Sequence, residues 1–196
     1  MPKHRDRNPD QQHGTTRDAD SKLPFSPLKR VDGSLFNCTR SLDSLVVRVL
    51  REYCPRWTPG ALAICVRKRN GALAVMEYNY LRELGIKECN PLLVPDAAVY
   101  YKQKDWLVLI ESTTRHGPIS PTRHQELKIL FKGSKATLVF VSAFLSREGM
   151  TQHLDDIAWE TTVWVAETPA HLIHFNGKQL CGPYENAGSR RARPSR

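Results

Sequence analysis

Asp96 and Glu111 are carboxylates that a simple hairpin would bring face to face, and facing carboxylates are a ligand pair for a hard divalent cation. Ala97-Ala98-Val99-Tyr100-Tyr101 and Trp106-Leu107-Val108-Leu109-Ile110 are apolar, aromatic and β-branched runs of strand length. Lys102-Gln103-Lys104-Asp105 is the polar break between them. A two-residue turn at Gln103-Lys104 pairs Lys102 with Asp105 and, stepping outward pair by pair, sets Asp96 opposite Glu111. Facing Cβ atoms in such a ladder lie roughly 4.5–5.5 Å apart. Like charges at that distance repel, and a cation held between them with water removes the repulsion. The plain alternative is two solvated acids on a sheet edge, or a turn of another length that breaks the register.

The elements around this hairpin follow from hydrophobic periodicity. Leu42, Leu45, Val46, Val49, Leu50 and Tyr53 keep helical spacing, with Ser41 as N-cap and Pro55 ending the helix. Two strands, 61–66 and 72–76, flank Arg67-Lys68-Arg69-Asn70-Gly71, whose Asn-Gly is a hairpin turn signal. Tyr80 to Leu84 forms a short helix stopped by Gly85. Ser120-Pro121 opens a helix whose buried side is Leu127, Leu130 and Phe131, with Gly133 closing it. Ala136 to Phe144 is apolar enough for a strand covered on both faces. A helix over 146–158 and strands at 161–166 and 171–175 follow, with Asn176-Gly177 as a further turn. This alternation predicts an α/β sandwich with a mixed sheet.

Length and charge bound the chain further. Its 196 residues suffice for one domain with a real core, flanked by a polar leader at 1–40 and an Arg-rich tail at 185–196, both expected to be disordered. The formal charge is +9, and two-thirds of it lies in residues 1–30 and 185–196. Basic tails favour a polyanionic partner such as nucleic acid, and they equally serve solubility. Cys38, Cys54, Cys65, Cys89 and Cys181 form no CxxC pair, which argues against a zinc knuckle or redox motif. With no signal-peptide core and no long apolar run, the chain is expected to be soluble, cytoplasmic and without membrane partners.

From about Leu42 to Tyr184 the chain resembles the catalytic part of the BsuBI/PstI family of type II restriction endonucleases, in the PD-(D/E)XK nuclease superfamily. The resemblance lies in three blocks. They are Pro95-Asp96 with 106–111 and His116-Gly117-Pro118-Ile119-Ser120-Pro121; Lys132 to Phe144; and Ile157 to Thr161 through His171 to Gly177. It implies a PD-(D/E)XK fold with a mixed central sheet flanked by helices, spanning residues 41–184. It also implies Mg²⁺-dependent hydrolysis of double-stranded DNA at a specific site by a homodimer, paired with a cognate DNA methyltransferase. Family members are usually longer and carry an N-terminal DNA-contacting region, where this chain has its polar leader. The superfamily lysine, two residues past the second acid, is Thr113 here. A family Ser-Pro-Lys-Arg stretch reads Ser120-Pro121-Thr122-Arg123, leaving Arg123 as the nearest substitute cation.

Against that background the residues take these expected roles. Asp96 and Glu111 hold Mg²⁺, and a main-chain carbonyl near Ser112 completes the site with water. Thr113, in a continuing strand, faces the same way as the acids. His116 acts on water or touches phosphate, or is simply a loop histidine holding backbone. Arg123 stabilises charge on phosphorus, or pairs with Glu126 on the helix surface. Arg115, Lys132 and Lys135 are the expected phosphate contacts. His171 and His174 sit at an odd strand spacing, which turns them to opposite faces and argues against zinc; Trp159 and Trp164 belong to the core, and Glu160 is structural. The competing readings are a catalytically decayed nuclease-fold DNA-binding protein and a repair nuclease without sequence specificity.

Overall fold

Leu45, Val46, Val49, Leu50 and Tyr53 form one buried stripe in the computed structural model, which describes residues 28–176. The stripe runs through α1 (Ser44–Arg48), a π turn (Val49–Tyr53) and α2 (Cys54–Trp57). Asp43, not Ser41, is the N-cap, its carboxylate accepting the Leu45 N–H at 2.9 Å. Pro55 does not end the helix as expected. A proline ring strikes the carbonyl four residues back and offers no N–H. Here the Cys54 N–H donates to the Val49 carbonyl, five residues back, and this wider turn lets the coil run on through Pro55.

The strands are β1 (Leu62–Arg67), β2 (Leu73–Met76), β3 (Ala97–Tyr101), β4 (Trp106–Ser112), β5 (Thr137–Phe144), β6 (Thr161–Val165) and β7 (Leu172–Phe175). They make one 7-stranded sheet in the order β2-β1-β3-β4-β5-β6-β7. α3 (Tyr78–Glu83) separates β2 from β3. Pairs are antiparallel except β4–β5 and β5–β6, whose parallel crossovers contain α4 (Pro121–Leu130) and α5 (Arg147–Thr151). The mixed sheet flanked by helices therefore agrees with the α/β architecture expected.

Alternation along β4 sorts its side chains between two cores. Val108 and Ile110 pack with Val99, Val141 and Trp164 beneath α1 and the π turn. Leu107 and Leu109 pack with Ala98, Phe140, Leu127 and Phe131 beneath α4. Glu111, two residues past Leu109, thus belongs to the α4 face. The β3–β4 register runs from Tyr101↔Trp106 to Ala97↔Ile110, the register expected, but the turn is different. Lys102–Lys104 make a 3₁₀ turn and Asp105 adopts a left-handed φ of 52°, its carboxylate accepting the Tyr100 hydroxyl at 2.8 Å.

Other expectations are corrected. Trp164 is fully buried, but Trp159 is 65 % exposed on the turn into β6, where Glu160 adopts a left-handed φ of 63°. The helix expected over 146–158 is shorter, with α5 ending at Thr151 and a 3₁₀ turn at Leu154–Asp156. His171 precedes β7 rather than lying in it, and His174 Nδ1 lies 3.1 Å from the Thr162 hydroxyl. Packing begins well before residue 41, because Leu28 enters the core, Lys29 bridges to Leu35 and Leu62, and Phe36 and Cys38 lean on the same cluster. The rest of the leader, the Arg-rich tail, Cys181 and Gly177 of the last turn lie outside the described residues. Cys54 and Cys65 are buried free thiols, and no described helix is long and apolar enough to cross a membrane.

Gly85, which follows α3, sits at φ +94°, and a Cβ there would overlap the Gly133 carbonyl oxygen. Next to it the Lys135 N–H donates to the Leu84 carbonyl at 2.7 Å, so neither chain can retreat freely. Gly85→Ala is therefore expected to lower the unfolding free energy by about 2–5 kcal/mol, combining left-handed strain with backbone overlap, as read by urea denaturation.

Candidate active site

One pair beyond Ala97↔Ile110, the chain enters β3 through Pro95-Asp96 and leaves β4 through Glu111-Ser112, so the two acids meet at one end of the central strands. Both are buried, Asp96 at 2 % and Glu111 at 4 % exposure. The Asp96 N–H points to Glu111 Oε2 at 3.4 Å, and Asp96 Oδ2 accepts the Ser112 N–H at 3.0 Å. Ser120 caps α4 by accepting the Arg123 N–H at 3.2 Å, with Pro121 in the first turn. That start places Arg123 over the same end of the sheet. Its Nε and Nη2 reach Glu111 Oε1 at 2.9 and 2.8 Å, its Nη1 reaches Glu126 at 3.1 Å, and Nη2 also donates to the Leu93 carbonyl at 2.9 Å. Arg123 thus makes the expected helix-surface pair with Glu126 and holds Glu111 as well.

Burial, and then the neighbouring Asp96 carboxylate, push the Glu111 carboxyl up to about 7, although Arg123 pulls the other way. Burial also raises Asp96, partly offset by the Ser112 N–H and by the charges of Arg115 and His116. Among the described residues Arg123 ion-pairs with Glu111, while Asp96 has no ion pair and feels Arg115 and His116 only through their charge. The converging donors of the two acids are hard oxygens, which fits a cation of the Mg²⁺ class. No group of three or more His, Cys, Asp or Glu suited to a metal forms among the described residues, so such a cation would draw further ligands from main-chain oxygen and water.

The acids open into a cleft of about 610 Å³ that Arg115, His116 and Arg123 also line. Ser112 follows Glu111 at the end of β4 and is buried. Its N–H is committed to Asp96, its hydroxyl lies 2.8 Å from the Thr114 hydroxyl, and its carbonyl accepts the Arg115 N–H at 3.4 Å. Thr114 in turn donates to Asp43 at 2.9 Å, tying the loop after β4 to the α1 cap. Thr113 does not continue the strand as expected. β4 stops at Ser112, and Thr113 begins a turn that lines a neighbouring groove against Phe144 and Ser146. Lys132 and Lys135 are not brought here either. They precede β5 at the Trp106 end of the sheet, roughly 17 Å from Glu111 at the strand rise of about 3.3 Å per residue, and Lys135 Nζ donates to the Glu83 carbonyl.

Three lining residues carried no signal in the sequence. Arg67, at the end of β1, donates to the Gly71, Pro91 and Val94 carbonyls at 2.8, 3.1 and 2.8 Å and so fixes the loop leading to Asp96. His153 and Asp156, 3.3 Å apart, reach the rim through the crossover after α5. Only the folded topology places them opposite α4.

With this geometry in view, comparison with known proteins is direct. The family profile described as BsuBI/PstI restriction endonuclease domain matches residues 39–178. Type II restriction enzyme BsuBI of Bacillus subtilis is 43% identical over 143 residues, covering 73% of this chain and 45% of that protein. Type II restriction enzyme AplI of Arthrospira platensis is 30% identical over 141 residues, covering 69% of this chain and 44% of that protein. The structure of SdaI restriction endonuclease superposes with a TM-score of 0.71 at 36% identity, over 83% of this chain and 51% of that one. The chain thus spans about half the length of the relatives it matches.

The raised Glu111 carboxyl makes a measurable demand on stability. Its folded value of about 7 exceeds the ordinary 4.5, so within that window the folded chain binds more protons than the unfolded one. Its stabilising contribution is therefore full below 4.5 and is lost as pH rises through about 7. In chelator, the wild type is expected to lose thermal stability relative to Glu111→Gln as pH is raised across that window. Parallel melting curves for the two proteins at every pH would contradict it.

Proposed function

The chain belongs to the BsuBI/PstI restriction endonuclease family, and from that premise we propose that it is a Mg²⁺-dependent type II endonuclease hydrolysing double-stranded DNA at a specific site. The observation that carries this reading is the buried Asp96–Glu111 pair, facing each other across a hairpin at the floor of an open cleft. Asp96, Glu111 and the Ser112 carbonyl are the groups that would hold Mg²⁺. Bound there, the ion supplies Lewis acidity toward the phosphodiester and offsets the two carboxylates.

The chain's own residues do the rest. Asp96 is kept in place by the Ser112 N–H, and Glu111 by Arg123. Arg123 carries the electrophilic role through its charge, which stands beside the acids while its donors hold Glu111, Glu126 and the Leu93 carbonyl. His116, exposed on the cleft wall after β4, takes a proton from the attacking water or binds a non-bridging oxygen. Arg115 contributes charge toward phosphate, although its Nη1 is already donated to the Lys68 carbonyl at 2.9 Å. Thr113, turned into the neighbouring groove, has no part in the chemistry. The nuclease unit takes in at least residues 28–176. A homodimer acting on a palindrome in the cytoplasm, alongside a cognate methyltransferase, completes the reading.

Plasmid incubated with Mg²⁺, followed by mapping of the ends, tests it. Discrete cut sites are expected; no cutting would point to a decayed DNA-binding protein, and scattered nicks to a nuclease without sequence specificity. Asp96→Asn and Glu111→Gln are each expected to abolish cleavage while retaining DNA binding, and full cutting by either removes the metal assignment. Arg123→Ala should slow cleavage about 10²–10³-fold, the usual cost of a lost charge-stabilising group, while Thr113→Ala cuts at the wild-type rate.

A further inference from the structure

The cations that line the cleft are largely spent on the protein itself. Arg67 is bound to three main-chain carbonyls, Arg123 to Glu111, Glu126 and Leu93, and Arg115 to the Lys68 carbonyl. That last bond, however, fastens the β1–β2 turn to the cleft wall. The turn closes on itself through the Gly71 N–H to the Lys68 carbonyl at 2.9 Å and the Lys68 N–H to the Ala72 carbonyl at 2.7 Å. Gly71 at φ +89° also brings the turn within 3.7 Å of the Arg115 guanidinium, measured from where a Cβ would stand. On its other side the Arg69 N–H donates to the Ser41 carbonyl at 2.9 Å, which brings Arg40 alongside.

Lys68, Arg69 and Arg40 are thus held together on a stiff platform beside the acids. None of the three makes a side-chain hydrogen bond or ion pair among the described residues, and Arg69 and Arg40 are exposed. Asp43, two residues past Ser41, is occupied by the Leu45 N–H and the Thr114 hydroxyl. A cluster of unneutralised cations fixed at one flank of a phosphodiester-cleaving site meets the chemistry of the phosphates next to the scissile one.

We propose that Lys68, Arg69 and Arg40 form the track that grips the DNA backbone beside the cleft, taking the place expected for Lys132 and Lys135. The proposal rests on the nuclease reading. Contacts of this kind release counterions and carry no sequence information, so their signature is the salt dependence of binding. Each lost phosphate contact lowers the slope of log K against log salt by about 0.9.

The test is binding of the full chain to a duplex in Ca²⁺, over a series of KCl concentrations, with cleavage in Mg²⁺ measured in parallel. Lys68→Ala with Arg69→Ala should reduce the slope by about 2 and weaken binding to unrelated duplexes equally, and adding Arg40→Ala should reduce it by about 1 more. Lys132→Ala with Lys135→Ala should leave the slope as it is. Lys68→Gln with Arg69→Gln, which removes the charge but leaves a polar side chain, should behave like the alanine pair. A wild type that cuts DNA with a slope unchanged by the Lys68 and Arg69 substitutions overturns the track alone. So does an equal loss from the Lys132 and Lys135 pair. A wild type that neither binds nor cuts overturns the nuclease reading and the track with it.

Discussion

Two carboxylates buried on one face of the sheet are the constraint around which the rest of this chain is arranged. Left alone, Asp96 and Glu111 would each lose solvation and repel the other, a combination that costs folding free energy at neutral pH. The structure answers with groups drawn from separate parts of the sequence. A main-chain N–H from Ser112 holds one acid, and a guanidinium from the first turn of α4 holds the other. Arg123 can do so only because Ser120 and Pro121 start the helix where they do. The helix start, the strand ends and the loop carbonyl at Leu93 are therefore one electrostatic unit.

The arginines divide by what they touch. Arg67 and Arg123 close main-chain carbonyls and carboxylates, so their charge is already answered inside the protein. Arg69 and Arg40 stand unanswered on the outside. Net charge counts these side chains alike, which is why a value of +9 says little about where a polyanion would lie. The distinction becomes visible only when each donor's acceptor is identified.

Much of the site was legible before any coordinates. Two continuous apolar runs and the polar break between them predict the β3–β4 register, which holds with a different turn, because Lys102 to Asp105 close the same pair through a 3₁₀ turn. Ser120-Pro121 marked the start of α4 and with it the position of Arg123. What failed were inferences that carried a local rule past its element. Strand alternation predicts a face for Thr113 although β4 stops one residue earlier, and Pro55 predicts a stop although a π turn absorbs it. Lys132 and Lys135 belong to a dense block of resemblance, but a parallel crossover returns the chain to the end of the sheet away from the acids. His153 and Asp156 were invisible because nothing local marks a side chain that only the crossover after α5 carries to the cleft.

The hairpin register also behaves as a parity check on the gene. Asp96 and Glu111 share a face because each stands an even number of residues from Ala98 and Leu109, which face each other beneath α4. Gain or loss of a single codon inside either strand would turn the acid beyond it toward the opposite core, scrambling the site without altering one chemically important residue. A two-codon change would keep the face and shift only the reach. Length variation is thus far more readily tolerated in the connection at Lys102 to Asp105, outside both strands, than anywhere along them.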